Sequence, residues 1–199
     1  MTTMSPAIDS ANAKRVRAGD PVWWKQLLDV QRPYRKHIQR LDLGFMLDVG
    51  CGFGRQLIHH NGNGIGIDIN PARLERCRDA GLTVHTPEEF EATPYGSGQQ
   101  FDSLLFSHVL EHMREAEARA LVAKYVPRLR AGGRAVFITP QEVGFRSDPT
   151  HVEFVDSAKL RDFATSAGLT PETDYSFPFP RALGRVFRYN EFVVIARKL

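Results

Sequence analysis

Apolar residues in this chain gather in short runs, and the stretches between them carry helical spacing. FMLDVG, beginning at Phe45, is an apolar run ending in glycine and predicts a buried strand. RQLIHHNGNG reads as a helix stopped by Asn-Gly pairs, with His59 and His60 at its end. GIGIDI predicts a second strand. PARLERCRDAGL predicts a helix with Pro71 in its first turn and Gly81 past its end. LTVH is a short third strand, PEEFEA a short helix and YGSGQQ a loop. FDSLLFS is a fourth strand. MREAEARALVAKYV is helical, with Leu121 and Tyr125 four apart and Val122 and Val126 four apart. RAGG ends that unit and RAVFIT forms a fifth strand. DSAKLRDFATSAGL is a helix capped by Asp156 or Ser157 and ended by Gly168. FPFP and NEFVVIAR read as extended segments.

Strand and helix alternate from residue 45 to 168, which predicts a mostly parallel sheet with helices on both faces. The last apolar run has no helix after it, so an antiparallel insertion is expected there. Upstream, residues 21–42 show helical spacing at Trp24, Leu27 and Leu28, and Pro33 divides them into two short helices. The reading is one domain over 1–199: a flexible 1–20, a helical cap over 21–42 and a Rossmann-like α/β core over 45–199.

Composition narrows this picture. The 199 residues are 42% hydrophobic and 25% charged, with a net charge of +3. That is a soluble globular balance with a core of ordinary size. No apolar run is long enough to span a membrane, and the N-terminus has no secretory h-region, so a cytoplasmic location is expected. Cys51 and Cys77 show no CxxC spacing, which fits a reducing compartment. Arginines are scattered and not interleaved with aromatics, so no nucleic-acid partner is expected.

Two sites of chemistry stand out. In LDVGCGFGR, Gly50, Gly52 and Gly54 allow a tight turn and a close backbone approach to a ligand. Asp48 adds a carboxylate, which repels a pyrophosphate and suits an ammonium group. Asp68 closes the second strand, where an acid accepts from ribose hydroxyls. The second site is SHVLEHM. Here His108, Glu111 and His112 crowd the end of a strand that reads as buried.

LDVGCGFGR, GIGIDIN, FDSLLFSHVLEHM and LRAGGRAVFITP, in that order, resemble the motifs of class I S-adenosylmethionine-dependent methyltransferases. The resemblance implies a Rossmann-like seven-stranded sheet with its last strand antiparallel. It assigns Asp48, Gly50, Cys51, Gly52 and Arg55 to the methionine part of the cofactor and Asp68 to the ribose. Ile69 would pack on the adenine, and Glu88 of TPEEF would meet the adenine amine. Tyr34 or Arg35 would hold the cofactor carboxylate. PVWWKQLLDVQRPYR, TPEEF, ITPQEVGFRSDPTHVEFVD and FPFPRALGRVFRYNEFVV resemble the actinobacterial sugar 1-O-methyltransferases of methylmannose polysaccharide biosynthesis. That implies a small carbohydrate acceptor, the 1-hydroxyl of a short 3-O-methylated mannoside, a magnesium requirement and a homodimer. Rival readings are methylation of another small molecule, a lipid or RNA, and a silent cofactor-binding subunit.

Methyl transfer to a hydroxyl calls for alignment and a base. His108, at the end of the fourth strand, is one candidate, as side chain or as backbone contact. Glu111 and His112 divide between a helix start, where an acid favours the dipole, and a metal site. Some methyltransferases bind a divalent ion through Glu-x-x-Glu-His, and here a histidine stands first. A histidine-rich set tilts toward a transition metal over magnesium. His151, in SDPTHVEF, is either an exposed loop histidine or the base, and with Glu111 and His112 it is also a candidate metal ligand. If it is the base, Asp148 or Glu153 would orient it or hold the ion. Gln141 and Glu142 are candidates for substrate hydroxyls.

Overall fold

A computed structural model describes residues 31–199, of which Tyr34–Leu199 form one compact unit. The expectations for residues 1–20, for Trp23, Trp24 and for the first half of the cap lie outside the described residues. The described chain begins with helix α1 (Arg32–Arg40), and Pro33 sits in its first turn, where a missing N–H costs nothing.

The elements then alternate as predicted. They are β1 (Met46–Val49), α2 (Arg55–His59), β2 (Gly64–Ile67), α3 (Pro71–Asp79), β3 (Val84–His85), α4 (Pro87–Glu91) and β4 (Phe101–Ser107). After these come α5 (Glu115–Tyr125), β5 (Leu129–Pro140), α6 (Glu142–Arg146), α7 (Ser157–Ser166), β6 (Thr170–Phe177) and β7 (Glu191–Arg197). Local chemistry sets several boundaries. Asn70 caps α3 by accepting from Ala72 and Arg73, and Asp156 caps α7 by accepting from Lys159. Thr86 and Glu89 form a reciprocal capping box at α4.

One seven-stranded sheet runs in the order β3-β2-β1-β4-β5-β7-β6. β1 to β5 pair in parallel, and β7 is antiparallel to both β5 and β6. Both faces are buried, which is why the strands read as continuous apolar runs. Leu104, Phe106, Phe137, Phe192 and Val194 face one layer, with Phe90 of α4, Tyr125 of α5 and Phe163 of α7. Leu105, Val136, Ile138 and Val193 face the other, with Ile38 of α1, Leu57 of α2 and Leu74 of α3.

Two strands depart from the reading. β5 begins at Leu129, so RAGG lies inside it. The ladder jumps from Phe101↔Leu129 to Ser103↔Arg134, and Gly132 takes a positive φ of 70° to absorb the extra residues. β6 is TPETDYSF, which ends on the first residue of the FPFP segment. As an edge strand it has no buried residue and is largely polar, so no apolar run marks it. Among the described residues, no helix is long and apolar enough to cross a membrane.

Candidate functional site

The carboxyl ends of β1, β2, β4 and β5 lie side by side, with the start of β7 beside the end of β5. At the end of β1, Gly50 and Cys51 both donate their amides to Ile67 O, at 2.8 and 2.9 Å, which folds the chain back sharply. Gly50 has φ 78°, and a Cβ on it would meet Val109 Cγ2 at 2.5 Å, so the turn packs directly on the chain after β4. Gly52 also has positive φ, 56°, yet a Cβ there would find no atom within 4 Å. Its glycine therefore serves the backbone conformation and leaves open space above the turn.

Asp68 joins this turn to the end of β2. Its Oδ2 accepts from Gly52 N at 2.9 Å and its Oδ1 from Asn70 N at 2.8 Å. Ile69, next to it, leaves an apolar side chain 84% exposed. Asp48 lies within β1, beneath the turn. It is 1% exposed and neither carboxylate oxygen has a hydrogen-bond partner. Burial pushes its pKa up to about 7, against the pull of Arg55 and with a push from Asp68. An orphaned carboxylate of this kind is costly unless a donor or cation arrives. Arg55 is exposed at the head of α2.

Other members of the expected set contribute differently. The Cys51 side chain is buried among Leu57 and Leu74, and burial pushes its thiol well up, so it packs and only its backbone lines the turn. Tyr34 donates its hydroxyl to Tyr189 O at 2.8 Å and sets its ring edge-on to Phe177, so that proton is already committed. Glu88 stands exposed in the first turn of α4, directly after β3.

The second group lies just past β4. His108 has φ 55°, uncommon for a residue with a Cβ, and its amide donates to Ile138 O at 2.9 Å. Leu110–His112 form an isolated single turn, and α5 starts at Glu115 with Arg114 at its cap. The helix-start reading of Glu111 thus fails: its carboxylate is 0% exposed, and Glu115 and Glu117 supply the acids of the first turn of α5. Neither Glu111 oxygen has a hydrogen-bond partner. His108 Nδ1 faces Oε1 at 3.3 Å as an ion pair without hydrogen-bond alignment, and His151 Nε2 stands 4.0 Å away.

His151 reaches this carboxylate from the loop after α6. Its Nδ1 pairs with Phe145 O at 2.8 Å and its ring stacks on Phe145. Because a carbonyl only accepts, Nδ1 carries the proton and Nε2 is left with a lone pair. His112 shows the same pattern. Its Nδ1 lies 3.2 Å from both Thr150 O and Thr150 Oγ1, and that hydroxyl already donates to Asp148 Oδ1. The network therefore places the proton on His112 Nδ1 and leaves Nε2 open. Ligand atoms of Glu111, His112 and His151 lie within 4.8 Å of one another.

His108 departs from a base. Burial alone would strip its proton, but the carboxylates of Glu111 and Glu191 outweigh that and push its pKa up to about 10. Its Nε2 lies 2.8 Å from Glu191 Oε1. With its two ring nitrogens turned to the carboxylates of Glu191 and Glu111, neither is left for a substrate hydroxyl.

Three further expectations are corrected. Gln141 is 0% exposed, and its amide is spent on Ser176, Glu191 O and Asn190, so no substrate hydroxyl reaches it. Glu142 is clamped by both arms of Arg181. Glu153 accepts from Glu115 N and pairs with Lys159, so it does not orient His151; the Phe145 carbonyl does, with Asp148 Oδ2 at 4.0 Å from Nε2.

The strand order, the glycine turn after β1 and the acid after β2 define the Rossmann-like fold of class I S-adenosylmethionine-dependent methyltransferases. Residues 47–137 match the family described as a methyltransferase domain. No curated protein matches the sequence. Among solved structures, an S-adenosylmethionine-dependent methyltransferase from Archaeoglobus fulgidus is 18% identical with a TM-score of 0.66, over 87% of this chain and 99% of that one. The magnesium protoporphyrin IX methyltransferase of Synechocystis PCC 6803, with bound S-adenosylhomocysteine, is 14% identical with a TM-score of 0.63, over 96% and 95%. The N-methyltransferase NodS of Bradyrhizobium japonicum, also with S-adenosylhomocysteine, is 18% identical with a TM-score of 0.62, over 84% and 87%. At these identities the likeness is one of fold. The residues present suit that cofactor: an orphaned carboxylate for its ammonium, open space over Gly52, an acid beside the turn and a bare isoleucine.

Proposed function

We propose that the chain is an O-methyltransferase acting on a sugar hydroxyl, the 1-hydroxyl of a short 3-O-methylated mannoside. The observation that carries the hydroxyl chemistry is the buried Glu111 carboxylate, which accepts no hydrogen bond and whose ligand atom lies within 4.8 Å of those of His112 and His151. Bound S-adenosylmethionine supplies an electrophilic methyl group. Asp48 holds its ammonium, the Gly50–Gly52 backbone its methionine part, Asp68 its ribose, and Ile69 with Glu88 its adenine.

Glu111, His112 and His151 fit a divalent cation. Two imidazoles and one carboxylate favour a transition metal over magnesium. Such an ion, when bound, acidifies the acceptor hydroxyl. A second reading has support in the Phe145 carbonyl, which fixes the tautomer of His151: with no ion present, Nε2 itself takes the hydroxyl proton. His108, held between the Glu111 and Glu191 carboxylates, takes no proton from the acceptor.

The sugar reading draws support from the β6–β7 loop, at the same sheet edge. Phe179 and Tyr189 are 43% and 56% exposed there, and Arg185 and Arg188 lie close by. Aromatic faces with arginine donors suit a ring that is apolar on its faces and polar at its rim.

A labelled-methyl assay on mannosides of differing 3-O-methylation, with and without chelator, tests this. Transfer only to the 3-O-methylated acceptor, lost in chelator and restored by Mn²⁺, is the expected result. Full activity in chelator removes the cation, and then His151→Ala should lower kcat by about 10²–10⁴. No transfer to any mannoside sinks the sugar reading.

A further inference from the structure

Glu191 has no role in the reading above. It opens β7 and is 8% exposed, and its carbonyl accepts from Gln141 Nε2 at 3.0 Å. Its Oε1 accepts from His108 Nε2 at 2.8 Å, while the opposite nitrogen of the same ring faces Glu111 Oε1 at 3.3 Å. One imidazole thus spans two buried carboxylates, one from the turn after β4 and one from the start of β7.

We propose that Glu191 is a positioning residue: by holding the His108 ring, it fixes the Glu111 carboxylate toward His112 and His151. The inference rests on the cation site proposed for that trio. A Glu side chain turns freely about its terminal torsion, since that well is broad. Glu111 makes no hydrogen bond of its own that would select one orientation. Its near neighbour on the β4 side is His108 Nδ1. The direction of that ring is set in turn by a left-handed backbone and by the Glu191 carboxylate on its Nε2. With both nitrogens turned to carboxylates, His108 is excluded from the donor set, and the third place falls to His151. Glu191 itself is rigid. It pairs with Pro140 and Phe177 across two ladders.

The test uses Glu191→Leu, which keeps bulk and loses both oxygens, and Glu191→Gln, which keeps shape and one acceptor oxygen. Mn²⁺ affinity is read by electron paramagnetic resonance, S-adenosylhomocysteine affinity by calorimetry, and side-chain positions from crystals of the metal-free proteins. Glu191→Leu is expected to weaken Mn²⁺ binding about 10- to 100-fold. Cofactor-product affinity should stay within about twofold, with the His108 ring turned and the Glu111 carboxylate displaced. Glu191→Gln should fall between this variant and the wild type, and it carries the comparison if Glu191→Leu does not fold. Unmoved His108 and Glu111 in the variant crystals overturn the proposal, as does Mn²⁺ affinity equal to wild type. A wild type that binds no Mn²⁺ defeats the cation reading instead, and the crystal comparison then decides on Glu191 alone.

Discussion

Asp48 shows what a single buried acid does to this protein. Both of its oxygens lack partners, and burial holds its pKa up to about 7. The unfolded chain loses that proton near pH 4, so between about pH 4 and 7 the folded state binds more protons than the unfolded one. Asp48 therefore contributes stability that is present below pH 4 and lost as pH rises through 7. A cationic ligand prefers the ionised form, so its affinity should rise over the same window. We expect urea midpoints of the ligand-free protein to fall from pH 5 to 7.5, and S-adenosylhomocysteine affinity to climb. Both trends should flatten in Asp48→Asn, and slopes equal to wild type in that variant would discard this account. Asp48 and Asp68 were legible in the sequence because each lies next to a glycine turn or a strand end. Glu191 was not, because one acid at the head of NEFVVIAR looks like an ordinary strand boundary. Gln141, Glu142 and Glu153 looked available for substrate only because Asn190, Arg181 and Lys159 are hidden partners from other parts of the chain.

At the scale of elements, the β6–β7 connection is an ordered surface. Asn190 and Gln141, both 0% exposed, clasp it. Asn190 accepts from Phe179 N at 2.9 Å and donates to Gln141 Oε1 at 2.9 Å. Gly184 lies so close that a Cβ would stand 1.7 Å from Gln141 Oε1. Gly184→Ala should therefore push the loop outward. The expected result is a several-fold rise in acceptor KM, with S-adenosylhomocysteine affinity unchanged, because Asp48, Gly52 and Asp68 lie on other elements. A steady-state titration of acceptor beside calorimetry of the product separates the two, and an unchanged KM would remove the loop from acceptor binding. Periodicity located the helices α3, α5 and α7 well because each buries a stripe and carries local caps or stops. It failed at β6, whose polar edge shows no apolar run. It failed also at Leu110–His112, where a polar turn is indistinguishable in sequence from the start of α5.

For the whole molecule, the core fold and the cofactor claim meet in one measurement. A ligand that binds only the folded state adds about 2.7 kcal/mol at a hundredfold excess over Kd. For a domain of this size each kcal/mol shifts Tm by about 2–4 °C. S-adenosylhomocysteine should thus raise Tm by about 5–10 °C, and a flat melt in its presence would refute the cofactor site. The sequence by itself determined the alternation of strand and helix, the two-faced burial of the sheet, the glycine turn and its two acids. These are local signals: period, turn chemistry and residue type within a few positions. Tertiary structure decided which polar groups are satisfied and which are left open. Asp48 was left without a partner, Glu111 with only its ion pair to His108, Gln141 became saturated, and His108 became held between Glu111 and Glu191. Each of those outcomes depends on packing groups far apart in sequence into one low-dielectric place, where the partner sets the charge, and no local pattern encodes the partner.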